Sequence, residues 1–161
     1  MSIFVARHGF SAANDRNQYG TPAFGNPDAS LMPQGRDQAT ELGERLASEY
    51  GFDVVAEPVG VSMMRRTQET AITAGFRILH LYPELDEEKG GMSDAETRLA
   101  LSEQRPPEAT IKAAQFLIEN PPKERIWVTH ALLIATICQQ LGIYQEERFT
   151  PRFCEIRELP L

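Results

Sequence analysis

Short apolar runs alternate along the chain with longer amphipathic ones, separated by polar stretches carrying Gly or Pro. Ser2–Ala6 is mostly apolar and stops at Arg7-His8-Gly9, which predicts a buried strand with a loop behind it. Residues 16–32, RNQYGTPAFGNPDASLM, read as a long loop with Gly20 and Gly25 as turn residues. Long loops in compact domains are often functional. Ala39, Leu42, Leu46 and Ala47 then recur at helical spacing, with Gly35 at the start and Gly51 as the stop, so Pro33–Tyr50 is a helix. A second strand lies within Val54–Ser62, where Pro58 and Gly60 obscure its limits. Arg65–Ala74 is a helix ended by Gly75, and Arg77–Tyr82 is a third strand in which His80 is structural.

Residues 83–107 have the weakest pattern: an acidic cluster, Gly90-Gly91, a helix after Ser93, and Pro106-Pro107. Glu108–Glu119 is amphipathic and helical, with Phe116 expected in the core. Arg125–Thr129, RIWVT, is a fourth strand that places Trp127 in the core and leads to His130. Leu132–Leu141 is almost wholly apolar and therefore a buried helix. Phe153–Leu159 alternates and reads as a last strand, at an edge of the sheet.

This order of elements is an α/β pattern. It predicts a single-domain three-layer α/β/α sandwich over residues 1–161, with a mainly parallel sheet and an edge strand free to run antiparallel. Ligands of such sheets bind outside the carboxyl ends of the strands. Arg7-His8, the segment Ser62–Arg66, and His130 each follow a strand, so all three are expected at one edge.

Composition narrows the partners. The 161 residues are 42% apolar and 24% charged, as in a soluble globular domain, and the formal net charge is −7. No extended basic face is present for nucleic acid or an anionic membrane. No stretch approaches the ~20 apolar residues of a membrane span. The start of the chain lacks a basic segment followed by a long apolar one, so the expected location is the cytoplasm. Cys138 and Cys154 have no CxxC spacing, and Cys138, in an apolar run, is expected to be a buried free thiol. The oligomeric state is left open.

Two histidines and arginines gathered at the strand ends suit a phosphoryl group. Arginine holds phosphate oxygens through paired, charge-assisted hydrogen bonds. Phosphoryl transfer needs those oxygens held and the nucleophile set in line. Neutral imidazole, with a reference pKa of ~6.5, is a competent nucleophile near pH 7. Its phosphorylated form is labile enough for water to complete a turnover.

The chain resembles the histidine phosphatase (phosphoglycerate-mutase-like) superfamily. Arg7-His8-Gly9-x-Ser11-x-x-Asn14 matches the signature RHGxSxxN, and Met32-Pro33-x-Gly35-Arg36-x-Gln38-Ala39 looks like its TxxGxxQA helix start. Ser62-x-x-x-Arg66-x-x-x-Thr70-Ala71 matches SPxxRxxxTA and selects Arg66 over Arg65, while Val128-Thr129-His130 matches VSH. The resemblance implies that His8 is the phosphorylated nucleophile and that Arg7, Arg66 and His130 clamp the phosphoryl oxygens. Asn14, Ser11 and the backbone N–H of Ala131 would line the phosphate pocket. No metal or other cofactor is implied.

The family's proton donor lies in L-x-E-x-x-x-G, matched by Leu85-Asp86-Glu87 and Gly91, with Glu84 and Glu88 as competing carboxylates. Such a general acid is worth roughly 10²–10⁴-fold. Three departures stand out: Met63 where the motif has Pro, Ala131 where it has Gly, and a stretch 91–95 lacking the usual aromatic and second Gly. The first two retain a backbone N–H.

The reading that follows is a metal-independent phosphatase acting on a phosphorylated small molecule. The alternative is a protein phosphohistidine phosphatase acting on a phosphoprotein. The stretch between Arg66 and His130 is short beside the enclosing insertion of the mutases, which disfavours a phosphoglycerate-type mutase. A non-catalytic binding module is disfavoured by the retained His8, Arg7, Arg66 and His130.

Overall fold

Alternate residues of a strand face opposite ways, and the first strand, β1 (Ile3–Arg7), uses both faces. Phe4 and Ala6 enter one apolar cluster and Val5 the other. The fourth strand, β4 (Ile126–Thr129), repeats this, with Ile126 and Val128 on the first side and Trp127 on the second. A strand buried on both faces has no polar alternation, which is why these segments read as continuous apolar runs.

A computed structural model describes residues 2–18, 20–24, 26, 28–87, 94–143 and 148–161. Gly25, Glu88, Gly90 and Gly91 lie outside the described residues. The remaining strands are β2 (Val59–Val61), β3 (Leu79–Leu81) and β5 (Ile156–Leu159), and the sheet order is β3-β2-β4-β1-β5. All neighbouring pairs are parallel except β1 with β5, so the antiparallel strand is at the edge, as the alternation of 153–159 implied.

Helices α1 (Pro33–Tyr50) and α2 (Arg65–Ala74) bury Ala39, Leu42, Leu46, Ala71 and Ala74 in the first cluster. Helices α4 (Glu108–Glu119) and α5 (Ala131–Gln140) bury Ala114, Leu117, Leu133, Ile134 and Ile137 in the second. The three layers expected from the sequence are therefore present. A further helix, α3 (Asp94–Ser102), falls where the weak pattern after Ser93 suggested one. Short 3₁₀ turns at Arg16–Gln18 and Pro83–Leu85 had no periodic signal to announce them.

Boundaries moved where local geometry overrode pattern. The third strand is confined to Leu79–Leu81 of the expected 77–82. The last begins at Ile156 because Cys154, at φ 57°, turns the chain first. Phe116 is 48% exposed and not in the core, correcting the expectation. The buried stripe of α4 is Thr110, Ala114 and Leu117, and Phe116 sits one residue off it. Cys138 is buried and unpaired, as expected. Among the described residues no helix is long and apolar enough to cross a membrane.

Candidate active site

Parallel pairing sets Arg7 opposite Thr129, so β1 and β4 end together, and His8 and His130 emerge side by side. The His8 amide donates to the Thr129 carbonyl at 3.0 Å, extending the pairing one step past the strand. The imidazole centroids are 5.3 Å apart in an edge-to-face arrangement. Strand β2 is the other neighbour of β4, and its continuation brings Ser62 and then α2 to the same edge. The convergence expected from topology is what the fold produces.

The guanidinium of Arg66 stands between the two rings. Its Nε donates to His8 Nε2 at 3.3 Å, and its Nη2 lies 3.4 Å from His130 Nδ1. Arginine has no acceptor, so both ring nitrogens present lone pairs to it. On the far side of His8, Nδ1–H donates to the Gly9 carbonyl at 2.7 Å. One hydrogen bond thus fixes the proton on Nδ1 and the other marks Nε2 as basic, selecting a single tautomer. On the far side of His130, Nε2–H donates to Ser62 Oγ at 3.0 Å. Ser62 Oγ and Thr67 Oγ1 share a hydrogen bond at 2.7 Å, and Thr67 Oγ1 lies 2.8 Å from the Met64 carbonyl.

Both rings are almost fully buried, and so is Arg66, at 6% exposure. Burial, followed by the nearby charges of Arg66 and Arg7, holds the His8 imidazole well below the usual histidine range. The ring is therefore neutral at pH 7. Burial also pulls Arg7 down to about 10 and lowers Arg66, and both remain cationic at neutral pH.

Arg7 is oriented by the C-terminal segment. Its Nη1 donates to the Pro151 carbonyl at 3.0 Å, and its guanidinium lies 3.8 Å from the Phe153 ring centroid. Arg7 Nε and Arg66 Nη1 are buried donors with no hydrogen-bond partner among the described residues. A buried donor left unmet is costly. Two of them beside a pair of imidazoles form a cationic cradle that an oxyanion would complete.

Glu87 closes one side of the cluster, with Oε2 3.8 Å from Arg66 Nη2 and its side chain 16% exposed. Leu85 before it accepts a hydrogen bond from Thr129 Oγ1 at 2.5 Å, and Asp86 Oδ1 accepts the Met63 amide at 2.7 Å. Arg65 is exposed and pairs with Glu69 one turn on, at 2.6 Å, so it is Arg66 that enters the site. Ser11 and Asn14 lie in the turn after β1 and bond to each other, Oγ to Oδ1 at 2.7 Å. Ala131 is the first residue of α5, where backbone N–H groups point out of the helix end.

Several supporting residues lay beyond sequence reasoning. Thr70 Oγ1 accepts the Gly9 amide at 3.0 Å and donates to the Arg66 carbonyl at 2.7 Å, tying the His8 loop to α2. Only its place in the SxxxRxxxTA match hinted at this. Pro151 and Phe153, remote in sequence from Arg7, gave no signal. His80 pairs with Glu124, which precedes β4 at the end away from His130, so it stays structural. Among the described residues no group of three or more His, Cys, Asp or Glu side chains could hold a metal ion.

The sequence profile described as Histidine phosphatase superfamily (branch 1) matches residues 3–125. No curated protein matches the chain. Among solved structures, TTHB049 from Thermus thermophilus is similar, with a TM-score of 0.67 and 21% identity over 99% of this chain and 94% of that one. A phosphoserine phosphatase from Entamoeba histolytica, solved in complex with 3-phosphoglyceric acid, has a TM-score of 0.64 and 20% identity. That match covers 98% of this chain and 89% of the other.

Proposed function

The chain belongs to the histidine phosphatase superfamily (branch 1), and from that premise we propose that it hydrolyses a phosphomonoester through a phosphohistidine intermediate on His8. One observation carries the reading. A buried, neutral imidazole presents its Nε2 lone pair into a cluster that also holds two guanidiniums, a second imidazole and a carboxyl group.

Arg7, Arg66 and His130 take the phosphoryl oxygens, whose binding replaces the long Arg66–His8 contact. Asn14, Ser11 and the Ala131 N–H complete the pocket, the last at a helix N-terminus suited to anions. His8 Nε2 attacks phosphorus while the phosphorus–oxygen bond to the leaving group breaks. The Glu87 carboxylic acid gives its proton to the departing alkoxide. The Gly9 carbonyl, holding Nδ1–H, stabilises the positive ring that results. Glu87, now a carboxylate, takes a proton from water, which attacks phosphorus. The phosphorus–nitrogen bond breaks, its electron pair returns to Nε2, and inorganic phosphate leaves.

The test is phosphate release over a panel of phosphorylated metabolites and a phosphohistidine protein, with acid-labile labelling of the enzyme by a phosphodonor. His8→Ala is expected to abolish both label and turnover. Full activity in His8→Ala overturns the mechanism. Glu87→Gln is expected to cut ester hydrolysis by roughly 10²–10⁴-fold. Turnover confined to the phosphohistidine protein and indifferent to Glu87→Gln would identify the other phosphatase class.

A further inference from the structure

Glu87 stands one residue beyond two anchored ones. The Leu85 carbonyl is held by Thr129, the last residue before His130. The Asp86 carboxylate is held by the backbone N–H of Met63, 2.7 Å from Oδ1 and 23 positions away in the chain. Met63 lies between Ser62, which holds His130, and the helix that carries Arg66. The segment bearing the carboxyl group is therefore tied on one side to the base of one phosphate-binding residue and on the other to the base of two.

We propose that Asp86 is a positioning residue: through its hydrogen bond to the Met63 amide it sets where the Glu87 carboxyl group stands. This rests on the reading of Glu87 as the general acid. Three features support it. The bond is short and joins a carboxylate to a backbone donor, the stronger charge-assisted kind. Met63 is 49% exposed, so what this residue brings to the contact is its amide and not its packing. A proline at 63, as in the motif this segment resembles, would have no N–H to give, so the contact depends on this chain's own residue. A general acid must lie within hydrogen-bond reach of the leaving oxygen, and small displacements of positioned groups are expensive in rate.

The Asp86 carboxyl group is engaged by the Met63 amide and then by the Ser62 hydroxyl, so it is assigned a holding role and Glu87 that of the acid. The experiment compares p-nitrophenyl phosphate, whose leaving group needs little protonation, with phenyl phosphate, whose leaving group needs it. Asp86→Ala is expected to lower kcat/KM, which reports transfer to His8 and not the later hydrolysis that both substrates share, by roughly ten- to a hundredfold on phenyl phosphate and to leave it nearly unchanged on p-nitrophenyl phosphate. Asp86→Asn, which keeps the Oδ1 acceptor, is expected to restore most of the loss. Met63→Pro should behave as Asp86→Ala does, and the double variant should be no worse than either alone.

Equal losses of kcat/KM on both substrates in Asp86→Ala, or Asp86→Asn as impaired as Asp86→Ala, overturn the proposal. Should Met63→Pro fail to fold, the Asp86→Asn and Asp86→Ala comparison decides alone. Glu87→Gln is run beside them. If it spares kcat/KM on phenyl phosphate, the acid assignment itself fails and the proposal with it. If it costs the full effect while Asp86→Ala costs nothing, only the proposal fails.

Discussion

Arg66 and His8 share one contact with two consequences: Arg66 Nε lies 3.3 Å from His8 Nε2, and the same guanidinium reaches His130 Nδ1 at 3.4 Å. Burial first, and then the cation that would bind the phosphoryl group, keeps the proposed nucleophile unprotonated before substrate arrives. A lysine at this position supplies charge without the planar fork. Arg66→Lys is accordingly expected to lose about 10²–10³-fold in kcat/KM, the scale on which single oxyanion-binding donors act. Wild-type kinetics in Arg66→Lys would show that charge alone suffices.

The depressed pKa of His8 has a definite sign in stability. Burial lowers the folded-state value below the unfolded one of ~6.5. Below that pH the unfolded chain takes up a proton that the folded ring refuses, so folding stability falls as pH drops from about 6.5 toward the folded value. The slope attributable to this group is at most about 1.4 kcal/mol per pH unit. His8→Asn, which has no titrating ring, is expected to flatten the urea-unfolding free energy between pH 6.5 and 5 relative to wild type. The acid limb of kcat/KM should likewise fall below the ordinary histidine pKa. An acid limb at 6.5 or above, or identical stability profiles, contradicts the burial argument.

Much of this site was legible in the chain, for physical reasons that differ by residue. His8 and His130 end apolar runs that read as buried strands within an alternating α/β order, so their shared edge follows from topology. Helix α1 was legible to the residue because Pro33 and Gly51 bracket it. Phe153 beneath Arg7 was not, because a stacking partner from the end of the chain leaves no periodic trace. Asp86 was visible as a residue but not as a partner, since a side-chain bond to a backbone amide 23 positions away has no spacing rule. Phe116 misled because apolar character alone does not say which stripe of α4 turns inward.

Thr70 joins the His8 loop to Arg66 through one hydroxyl, which accepts from the Gly9 amide and donates to the Arg66 carbonyl. Valine has nearly the same shape and no hydroxyl. Thr70→Val leaves the buried Gly9 N–H without this acceptor, a loss of about 1–3 kcal/mol. Denaturant unfolding should register that loss, and kcat should fall with it because Gly9 also holds His8 Nδ1. Unchanged stability would mean that the Gly9 amide is satisfied elsewhere.

Two glycines of α1 test whether close backbone approach serves the site or only the fold. A Cβ at Gly35 would stand 2.0 Å from the Phe10 carbonyl oxygen, and one at Gly43 would stand 1.9 Å from that of Ala74. Both obstacles are backbone, so something must shift, although alanine favours a helix by roughly 1 kcal/mol over glycine. Each Gly→Ala change is expected to destabilise by about 1–3 kcal/mol, as overpacking does. Their effects on activity should differ. Phe10 is two residues from His8 and is also held by Gln38, whose Oε1 accepts its amide at 2.9 Å, so displacing α1 at Gly35 moves the His8 loop. Ala74 ends α2, two turns from Arg66, so displacement there leaves the cluster in place. Measured per folded molecule, kcat should drop in Gly35→Ala and hold in Gly43→Ala. Equal kcat in the two variants, at equal loss of stability, would mean that the Gly35–Phe10 contact serves packing and not the placement of His8.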